Sequence, residues 1–199
     1  LGWFYSDGCV DLKGKMRIQI QREDKYVLEW IKKEMGYDGP LYDVPPPKKF
    51  PHRKPQACLC INRKPLADSL IKLGCNPNKS LTVTFPTTKQ VPKKYWPSFM
   101  LGVYDGDGSI SLKKDKYIQT SITSTEEFLM FAREHIYKPL GLSPKHYFRY
   151  SWTNTMSLMT TKTNDSRIFL EYIYREAPFY LTRKFLVFKN WRESVYNKV

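Results

Sequence analysis

Acidic side chains are scarce in this sequence. Its 199 residues include 19 Asp and Glu against 33 Lys and Arg, so the formal net charge is +14 and the pI is near 9.6. Such a basic excess favours an acidic partner, most often nucleic acid. Hydrophobic residues make up 41% of the chain, which is enough for a packed core and excludes a wholly disordered protein.

Long apolar runs and cysteines are also lacking. No apolar run reaches the roughly 18 residues of a membrane span, and the first residues have no basic segment typical of a signal peptide. The four cysteines are Cys9, Cys58, Cys60 and Cys75. Because they form no CxxC pair and have no nearby His, a zinc site is disfavoured. We expect buried or half-buried free thiols in an intracellular, reducing compartment, either the cytoplasm of a microbe or phage host or an organelle.

One short motif occurs twice. Residues 1–8 read LGWFYSDG, and residues 101–108 read LGVYDGDG. The two copies share an initial Leu-Gly and a final Asp-Gly, and similar patterns follow each of them. We therefore predict an α+β fold of two pseudo-symmetric αββαββα halves with antiparallel sheets. The predicted boundaries are residues 1–76 for the N-terminal half, 77–94 for a linker and 95–199 for the C-terminal half.

Apolar periodicity predicts the elements of both halves. In the first half these are strands at 9–12, 16–21 and 57–62, helices at 26–35 and 65–73, and a short strand with a basic loop within 37–55. In the second half they are strands at 109–113 and 117–123, a helix whose capping box runs from Ser124 to Glu127, a hairpin at 145–160 and a helix at 164–176. A further strand is predicted at 81–85, inside the linker.

Small residues recur four positions apart in each motif copy, as Gly2 and Ser6 and as Gly102 and Gly106. On a helix, residues four apart share one face. A face of small residues lets two helices cross at short distance. The sequence therefore predicts a tightly packed pair of helices between the halves.

Asp7 and Asp107 then lie at neighbouring helix ends, each followed by a glycine that can adopt the left-handed conformation. Two close carboxylates repel each other, and the negative end of each helix dipole adds to this, so a divalent cation is favoured between them. Taken alone, each Asp-Gly pair could simply form a turn. Its occurrence at matched places in both halves favours the metal site.

The segments at residues 1–8 and 101–108 resemble the signature motif of the LAGLIDADG homing endonucleases, in the form that has two motifs in one chain. The resemblance covers essentially the whole sequence. The second copy is the closer match, whereas the first has Trp3 and Phe4 in place of smaller aliphatic residues and Tyr5 in place of a frequent acid. Leu1 lies inside the first motif, so we expect the first helix to be incomplete.

The resemblance implies a saddle-shaped β-surface that lies in the DNA major groove. It further implies Mg²⁺-dependent, site-specific hydrolysis of both strands of double-stranded DNA, at a long, partly degenerate target, by a monomer with no membrane or protein partner. The predicted metal residues are Asp7, Asp107, Gly8 and Gly108, and Ca²⁺ or Mn²⁺ can substitute for Mg²⁺. Asp105 matches an acid that is usually structural in the family.

Family members often have a basic residue near each scissile phosphate, after the last helix of each half. Lys79 and Lys184 occupy the matching places, so they join Asp7 and Asp107 as predicted catalytic residues. They could polarise a nucleophilic water or neutralise charge in the transition state. The alternative is that they are ordinary phosphate-contacting or solvent-exposed lysines, and Arg183 competes with Lys184 for the role.

Polar residues alternate with apolar ones along the predicted strands. Arg and Gln on such a ribbon can form bidentate contacts with guanine and adenine in the major groove, although a merely solvated sheet face would have the same pattern. The predicted DNA-binding residues are Arg17, Gln19, Gln21, Lys48, Lys49, Arg53, Lys113, Gln119, Ser121, Thr123, Arg149, Thr153 and Thr155.

The presence of both Asp7 and Asp107 favours an endonuclease. The alternative is a cleavage-inactive nucleic-acid-binding protein on the same scaffold, such as an RNA-splicing maturase or a DNA-binding regulator. A binder has no need for two carboxylates facing a phosphate backbone. The repeat also disfavours a basic structural domain without a site.

Overall fold

The computed structural model describes residues 1–114, 116–148 and 155–196. It has the predicted α+β architecture, with two four-stranded antiparallel sheets and helices packed against them. The first sheet has the strand order β1-β2-β4-β3, and the second has the equivalent order β5-β6-β8-β7. The internal repeat of the sequence is therefore a repeat of the fold.

The N-terminal sheet forms because its strands alternate between buried and open positions. In β2 the side chains of Met16, Ile18 and Ile20 are buried, while Arg17 between them is exposed. The elements of this part are α1 (Gly2–Tyr5), β1 (Gly8–Val10), β2 (Lys15–Gln21), α2 (Lys25–Glu34), β3 (Leu41–Val44), β4 (Gln56–Asn62) and α3 (Lys64–Lys72).

The C-terminal sheet follows the same rule, with Ile118 and Ile122 of one strand fully buried. Its elements are α4 (Trp96–Asp107), β5 (Gly108–Lys113), β6 (Tyr117–Ser124), α5 (Glu126–Ala132), β7 (Lys145–Phe148), β8 (Met156–Thr160), α6 (Thr163–Tyr174) and α7 (Thr182–Tyr196). The pairing of β7 with β8 confirms the predicted hairpin. Helix α7 was not predicted.

Two local predictions were wrong. The N-cap of α5 is Thr125, whose hydroxyl accepts a hydrogen bond from the Phe128 N–H, because Ser124 still pairs with Met156 in the sheet. Residues 81–85 form no strand, since the carbonyl of Val83 accepts a hydrogen bond from the Thr125 hydroxyl instead of a neighbouring strand.

The apolar faces of both sheets merge into one core around α1 and α4. Tyr5 of α1 packs edge-on against Phe99 of α4, with ring centroids 4.9 Å apart. Phe85 contributes a stacked contact with Phe131 at 4.7 Å. Since residues from both sequence repeats share this core, α1 and α4 are held together from both sides. The boundaries proposed at residues 76, 77, 94 and 95 stay predictions.

Among the described residues, the structure contains no helix with the length and hydrophobicity of a membrane span. Of the four cysteines, Cys58 and Cys75 are buried and Cys60 is half-buried, as expected, and all four thiols are free. Cys9 is exposed instead, because it lies on an edge strand and faces away from the core.

Candidate catalytic centre at the paired helix ends

Helices α1 and α4, which contain the two motif copies, cross with their backbones in contact. A Cβ atom on Gly2 would lie 2.3 Å from the carbonyl oxygen of Phe99, and one on Gly102 would lie 2.9 Å from the Cα of Gly2. Neither distance leaves room for a side chain, so only glycine permits this approach. The predicted helix contact through small residues is confirmed.

One turn further along, Ser6 packs against Gly106. A Cβ on Gly106 would meet the Ser6 Oγ at 2.1 Å and the Asp7 Oδ2 at 2.8 Å. The carboxylate of Asp7 therefore lies against the last turn of α4, one residue from Asp107. The crossing of the helices brings the two predicted carboxylates to one place.

Gly8 and Gly108 do not adopt the left-handed conformation that we predicted. Gly108 is extended (φ −91°, ψ 162°), and each glycine begins the strand that leaves its helix. A Cβ would lie 2.4 Å from the Cα of Phe4 in one case and 2.4 Å from the Tyr104 carbonyl oxygen in the other. Glycine is thus required because there is no room for a Cβ where the chain passes directly from helix to strand. A positive φ at these positions would turn the chain away from the strand.

The two carboxylates repel each other. Their side chains reach solvent, but the surrounding protein removes enough water to raise both pKa values above the ordinary range. For Asp107 this desolvation and the negative charge of Asp7 raise the pKa to about 6, against the opposing effect of Lys79 and Lys184. A cation between two such carboxylates would relieve the repulsion.

Lys79 and Lys184 lie beneath the two helix ends. Both are almost fully buried, with exposed fractions of 7% and 5%. The ammonium of Lys79 donates to the Gly8 carbonyl at 2.6 Å, and that of Lys184 donates to the Gly108 carbonyl. Burial lowers the pKa of both lysines, that of Lys184 to about 8. Each lysine therefore caps the negative end of a motif helix.

These residues fit a divalent metal with an incomplete protein shell. Within the ranges that the structure describes, no three His, Cys, Asp or Glu side chains converge on one point. Asp7 and Asp107 supply two hard oxygen donors, and Mg²⁺ usually takes its other ligands from water and phosphate. The carbonyls of Gly8 and Gly108 already accept lysine protons, so metal coordination by these carbonyls stays a prediction.

Tyr5 and Asp105, which occupy the same place in the two motif copies, perform the same task with different chemistry. The Tyr5 hydroxyl donates to the Leu73 carbonyl at 2.8 Å. The Asp105 Oδ2 accepts from the Leu181 N–H, also at 2.8 Å. Each contact fixes the segment that follows the last helix of its repeat and leads to the lysine. We call each of these hydrogen bonds a tether. Tyr5 differs from the acid that is frequent at this position in the resembled family, but its hydroxyl still provides the tether.

Burial makes the Asp105 tether sensitive to pH. Asp105 is 2% exposed, and its Oδ1 has no hydrogen-bond partner among the described residues. Desolvation raises its pKa to about 7, although the Leu181 N–H, Lys184 and Arg183 oppose the shift. A raised pKa means that the folded state binds the proton more tightly than the unfolded chain. The stability from this group is therefore present below pH 4 and lost as the pH rises through 7.

Asp105→Asn is expected to remove this pH dependence. Asparagine keeps an oxygen acceptor for the Leu181 N–H but does not ionise. The difference in unfolding free energy, variant minus wild type, should increase by roughly 2–3 kcal/mol between pH 5 and pH 8. Urea unfolding at the two pH values measures it, and a difference that does not change with pH would contradict the raised pKa.

The start of α7 is also held by the first repeat. The Arg183 Nε lies 3.1 Å from the Asp24 Oδ2, and the Thr182 N–H donates to the Tyr26 hydroxyl at 2.6 Å. Sequence reasoning missed Asp24 and Tyr26. Because they are more than 150 residues away from α7 along the chain, no local pattern could have identified them. Arg183 is engaged here, which favours Lys184 as the basic residue beneath α4.

The first sheet presents the predicted polar face. Residues paired directly across antiparallel strands point to the same side, and Arg17 is paired with Cys9 on β1 and Cys60 on β4. Gln19 and Gln21 are half-buried beside it, and the Gln19 side chain hydrogen-bonds that of Gln56.

Sequence reasoning missed several residues on this face. The register pairs Asn62, Cys60 and Gln56 of β4 with Lys15, Arg17 and Gln21 of β2, and it places Tyr42 of β3 on the same side of the sheet, opposite Cys58 of β4. The alternation of polar and apolar residues in β4 could have identified three of them. Tyr42 required the register of the folded sheet.

The basic loop after β3 is organised around Phe50. The Arg53 guanidinium lies 4.5 Å from the centre of this ring, and the Lys49 ammonium lies 5.7 Å away. Lys48 is exposed beside them. The loop therefore presents three positive charges next to the first sheet.

The second sheet has a face of hydroxyl groups. Ser121 and Ser109 share a hydrogen bond at 2.7 Å, and Thr123 and Ser157 share one at 2.8 Å. Of the other predicted residues, Lys113 lies on the edge strand β5 and Thr155 lies just before β8. Gln119 lies on the interior strand β6, and its side chain donates to the Thr161 carbonyl at 3.2 Å. Arg149 and Thr153 lie outside the described residues.

No protein-family model and no curated protein matches the chain. Among solved structures, it resembles the LAGLIDADG homing endonuclease I-GzeII in complex with its DNA target, with a TM-score of 0.58 and 12% identity over 97% of this chain and 89% of that one. A similar likeness holds for the LAGLIDADG homing endonuclease I-SmaMI bound to cleaved DNA, with a TM-score of 0.59 and 10% identity over 96% and 86% of the two chains.

A third similar structure is full-length DUF199/WhiA from Thermatoga maritima, with a TM-score of 0.59 and 16% identity. It matches 100% of this chain but 58% of that one. At identities of 10–16%, the structural likeness shows a shared fold and nothing beyond it. Together with the paired helices and the two equivalent sheets, the comparisons lead to one conclusion. The chain has the LAGLIDADG homing endonuclease fold.

Proposed function

We propose that this protein is a site-specific endonuclease that cleaves both strands of double-stranded DNA with a divalent metal, preferably Mg²⁺. The observation that best supports this is the convergence of Asp7 and Asp107 at two helix ends that only glycine allows to meet. In the free protein the two carboxylates repel each other, and this repulsion contributes to the raised pKa of Asp107. A divalent metal bound between them for the reaction would relieve this repulsion.

The DNA would lie across the two polar sheet faces. The net charge of +14 favours binding to a polyanion, and the similar structures I-GzeII and I-SmaMI were solved with DNA. Because the two sheets start at Gly8 and Gly108, directly after the motif helices, DNA on the sheets would pass over Asp7 and Asp107. Each half would then read one part of a long target.

Each group at the helix ends has a role in this reaction. Asp7 and Asp107 would hold the cation, which supplies Lewis-acid stabilisation of charge on the phosphate oxygens. Lys79 and Lys184 would keep the site positive enough to accept phosphate and would hold the motif helices in place. The side chains of the sheets would fix the scissile phosphates over the carboxylates.

A cleavage-inactive nucleic-acid-binding protein is the second candidate. It is favoured by the likeness to DUF199/WhiA, because the scaffold is not confined to proteins named as endonucleases. The small protein contribution to the metal shell is compatible with it as well. Asp7 and Asp107 would then serve only the contact between the helices.

Cleavage of a plasmid library distinguishes the two candidates. Supercoiled plasmids with randomised inserts, and a plasmid with the sequence that flanks the gene, would be incubated with the protein in Mg²⁺ or Mn²⁺. Linear products with one recurrent cut site support the endonuclease. Tight DNA binding with no nicked or linear product in either metal would reject it in favour of the binder.

Arg17 is expected to read a base, whereas Lys48 is expected to contact phosphate. Arg17→Ala should weaken binding to the selected target by about 1–3 kcal/mol and leave binding to unrelated DNA nearly unchanged. Lys48→Ala should weaken both to the same small extent and reduce the slope of affinity against salt concentration by about one.

Fluorescence anisotropy across a series of salt concentrations measures both effects. The affinity of the wild type should fall steeply as salt increases, because bound phosphates release counterions. A flat salt response would argue against DNA as the partner. An equal loss on both DNAs for Arg17→Ala would argue against base readout by this residue.

A further inference from the structure

The polar face of the first sheet contains three thiols. Arg17 on β2 is paired directly with Cys9 on β1 and with Cys60 on β4, so these side chains form one row across the same side of the sheet. Cys9 is exposed and Cys60 is half-buried, while Cys58, two positions from Cys60 on β4, is buried. The base and phosphate contacts proposed for this face do not depend on the chemistry of a thiol.

The geometry of the sheet keeps these thiols from forming a disulfide with one another. Cys9 and Cys60 lie on opposite sides of β2, so their backbones are two strand spacings apart, roughly 10 Å. Cys58 and Cys60 are two residues apart on one strand, which separates their parallel side chains by about 6.6 Å. A disulfide needs Cβ atoms about 4 Å apart. Oxidation of a thiol on this face to a disulfide therefore requires an external molecule.

Cys9 is the thiol that such a molecule reaches most easily. It faces away from the core on an edge strand, whereas Cys75 is fully buried in the core. The Arg17 side chain lies beside it, and its sulfur is within electrostatic range of the Lys79 ammonium. Positive surroundings increase the local concentration of anionic reagents. A small disulfide with carboxylate groups is therefore the favoured partner.

The second half of the fold has a serine at the place of Cys9. Ser109 on β5 is paired with Ser121 on β6, just as Cys9 is paired with Arg17. The two serine hydroxyls share a hydrogen bond at 2.7 Å. This position of the fold therefore accepts a serine, and Cys9→Ser is a conservative variant that removes only the thiol chemistry.

We propose that Cys9 is a site of reversible mixed-disulfide formation with a small anionic disulfide, and that the adduct blocks DNA binding by the first sheet. The Cys9 sulfur gives its proton to water and attacks one sulfur of the reagent. A new S–S bond forms, the S–S bond of the reagent breaks, and the other half of the reagent leaves as a thiolate. Cys9 is thereby oxidised and the leaving half is reduced.

The effect on DNA follows from the place of the adduct and rests on the proposed function. Cys9 lies two residues after Asp7 and beside Arg17. A bulky group on its sulfur would cover the Arg17 guanidinium and add negative charge where the DNA phosphates would lie. Both effects weaken binding, and a reductant reverses them by releasing the adduct.

Oxidised glutathione is the probe that tests this site. Wild type, Cys9→Ser and Cys60→Ser would be treated with it, and the adducts mapped by mass spectrometry of proteolytic fragments. DNA affinity would be measured without divalent metal, on a duplex selected for binding, and each protein compared with its own reduced form. Oxidised wild type should carry the adduct at Cys9 and bind at least about 10-fold more weakly, since a base contact is lost.

The two variants provide the controls. Cys9→Ser should bind with the same affinity before and after treatment, whereas Cys60→Ser should lose affinity as the wild type does. Dithiothreitol should restore binding in full. Bound DNA should in turn protect the thiol, so that DNA at ten times its Kd slows adduct formation at Cys9 by about 10-fold.

Several results would overturn the assignment. They are an absence of adduct at Cys9, an adduct at Cys9 that leaves DNA affinity unchanged, and an equal loss of affinity in treated Cys9→Ser. Because binding is measured without metal, a protein that responds as expected but never cleaves DNA would lose the endonuclease function and keep the Cys9 site. If the reduced protein binds no DNA, both proposals fail.

Discussion

Replacing Asp107 with asparagine is expected to abolish double-strand cleavage while leaving the protein folded and able to bind DNA. The variant loses one of the two carboxylates that we propose hold the metal. Changes to groups that merely orient metal ligands cost about 10- to 100-fold in activity, so the loss of a ligand should exceed about 100-fold. Plasmid cleavage in Mg²⁺, with DNA affinity measured in parallel, tests this expectation.

The fold should survive because the substitution removes a repulsion. The pKa of Asp107 is raised to about 6 by desolvation and by the charge of Asp7, so neutral asparagine should not lower the unfolding temperature at pH 7.5. Asp68→Asn is the matched control, since Asp68 is a half-buried carboxylate on α3 that forms an ion pair with Lys64 of the same helix. Full cleavage by Asp107→Asn would remove Asp107 from the catalytic centre.

Replacing Gly102 with valine is expected to destabilise the protein by more than about 3 kcal/mol. Overpacking of a core usually costs about 1–3 kcal/mol, and side chains can often move to reduce that cost. Here the added Cβ would lie 2.9 Å from the Gly2 Cα and 3.0 Å from the Trp3 nitrogen. These are backbone atoms, so relief requires the two helices to separate.

Gly141→Ala provides the contrast. Gly141 has a positive φ of 72° but open space where a Cβ would be, so its cost should be about 1–2 kcal/mol from backbone strain alone. Urea unfolding of both variants measures the difference. If Gly102→Val were no more destabilising than Gly141→Ala, the close crossing of α1 and α4 would not be essential to the fold.

Separation of the helices should also affect cleavage. Ser6 and Asp7 pack against Gly106 of the opposite helix, so any movement at Gly102 changes the distance between the two carboxylates. Gly102→Val should therefore lose cleavage even at low temperature, where it remains folded. DNA affinity should be less affected, because the predicted DNA-binding residues lie outside α1 and α4.

Much of the fold could be predicted because its signals are local. The alternation of Met16, Ile18 and Ile20 with polar residues identifies β2 wherever the strand is placed. The duplicated motif identifies two equivalent halves. Errors occurred where a neighbour decided the outcome, as at Ser124, which stays in the sheet through Met156, and at Val83, whose carbonyl bonds a side chain.

The candidate site divides in the same way. Asp7, Asp107 and the glycines that allow their approach could be found in the sequence, because helix periodicity places residues four apart on one face. The tether from Asp24 to Arg183 could not, since it joins residues 159 positions apart. The conformation of Gly8 and Gly108 was also beyond local reasoning, because the helix that each glycine leaves excludes a Cβ.

It follows from residue types and spacing alone that two equivalent halves meet through small residues and bring two carboxylates to one place. The surroundings of those carboxylates depend on the tertiary structure. Lys79 and Lys184 are buried beneath the helix ends, where their ammonium groups have two and three backbone carbonyl acceptors respectively. The reason is that the number of acceptors around an ammonium depends on the path of distant backbone, which residue types and spacing do not specify.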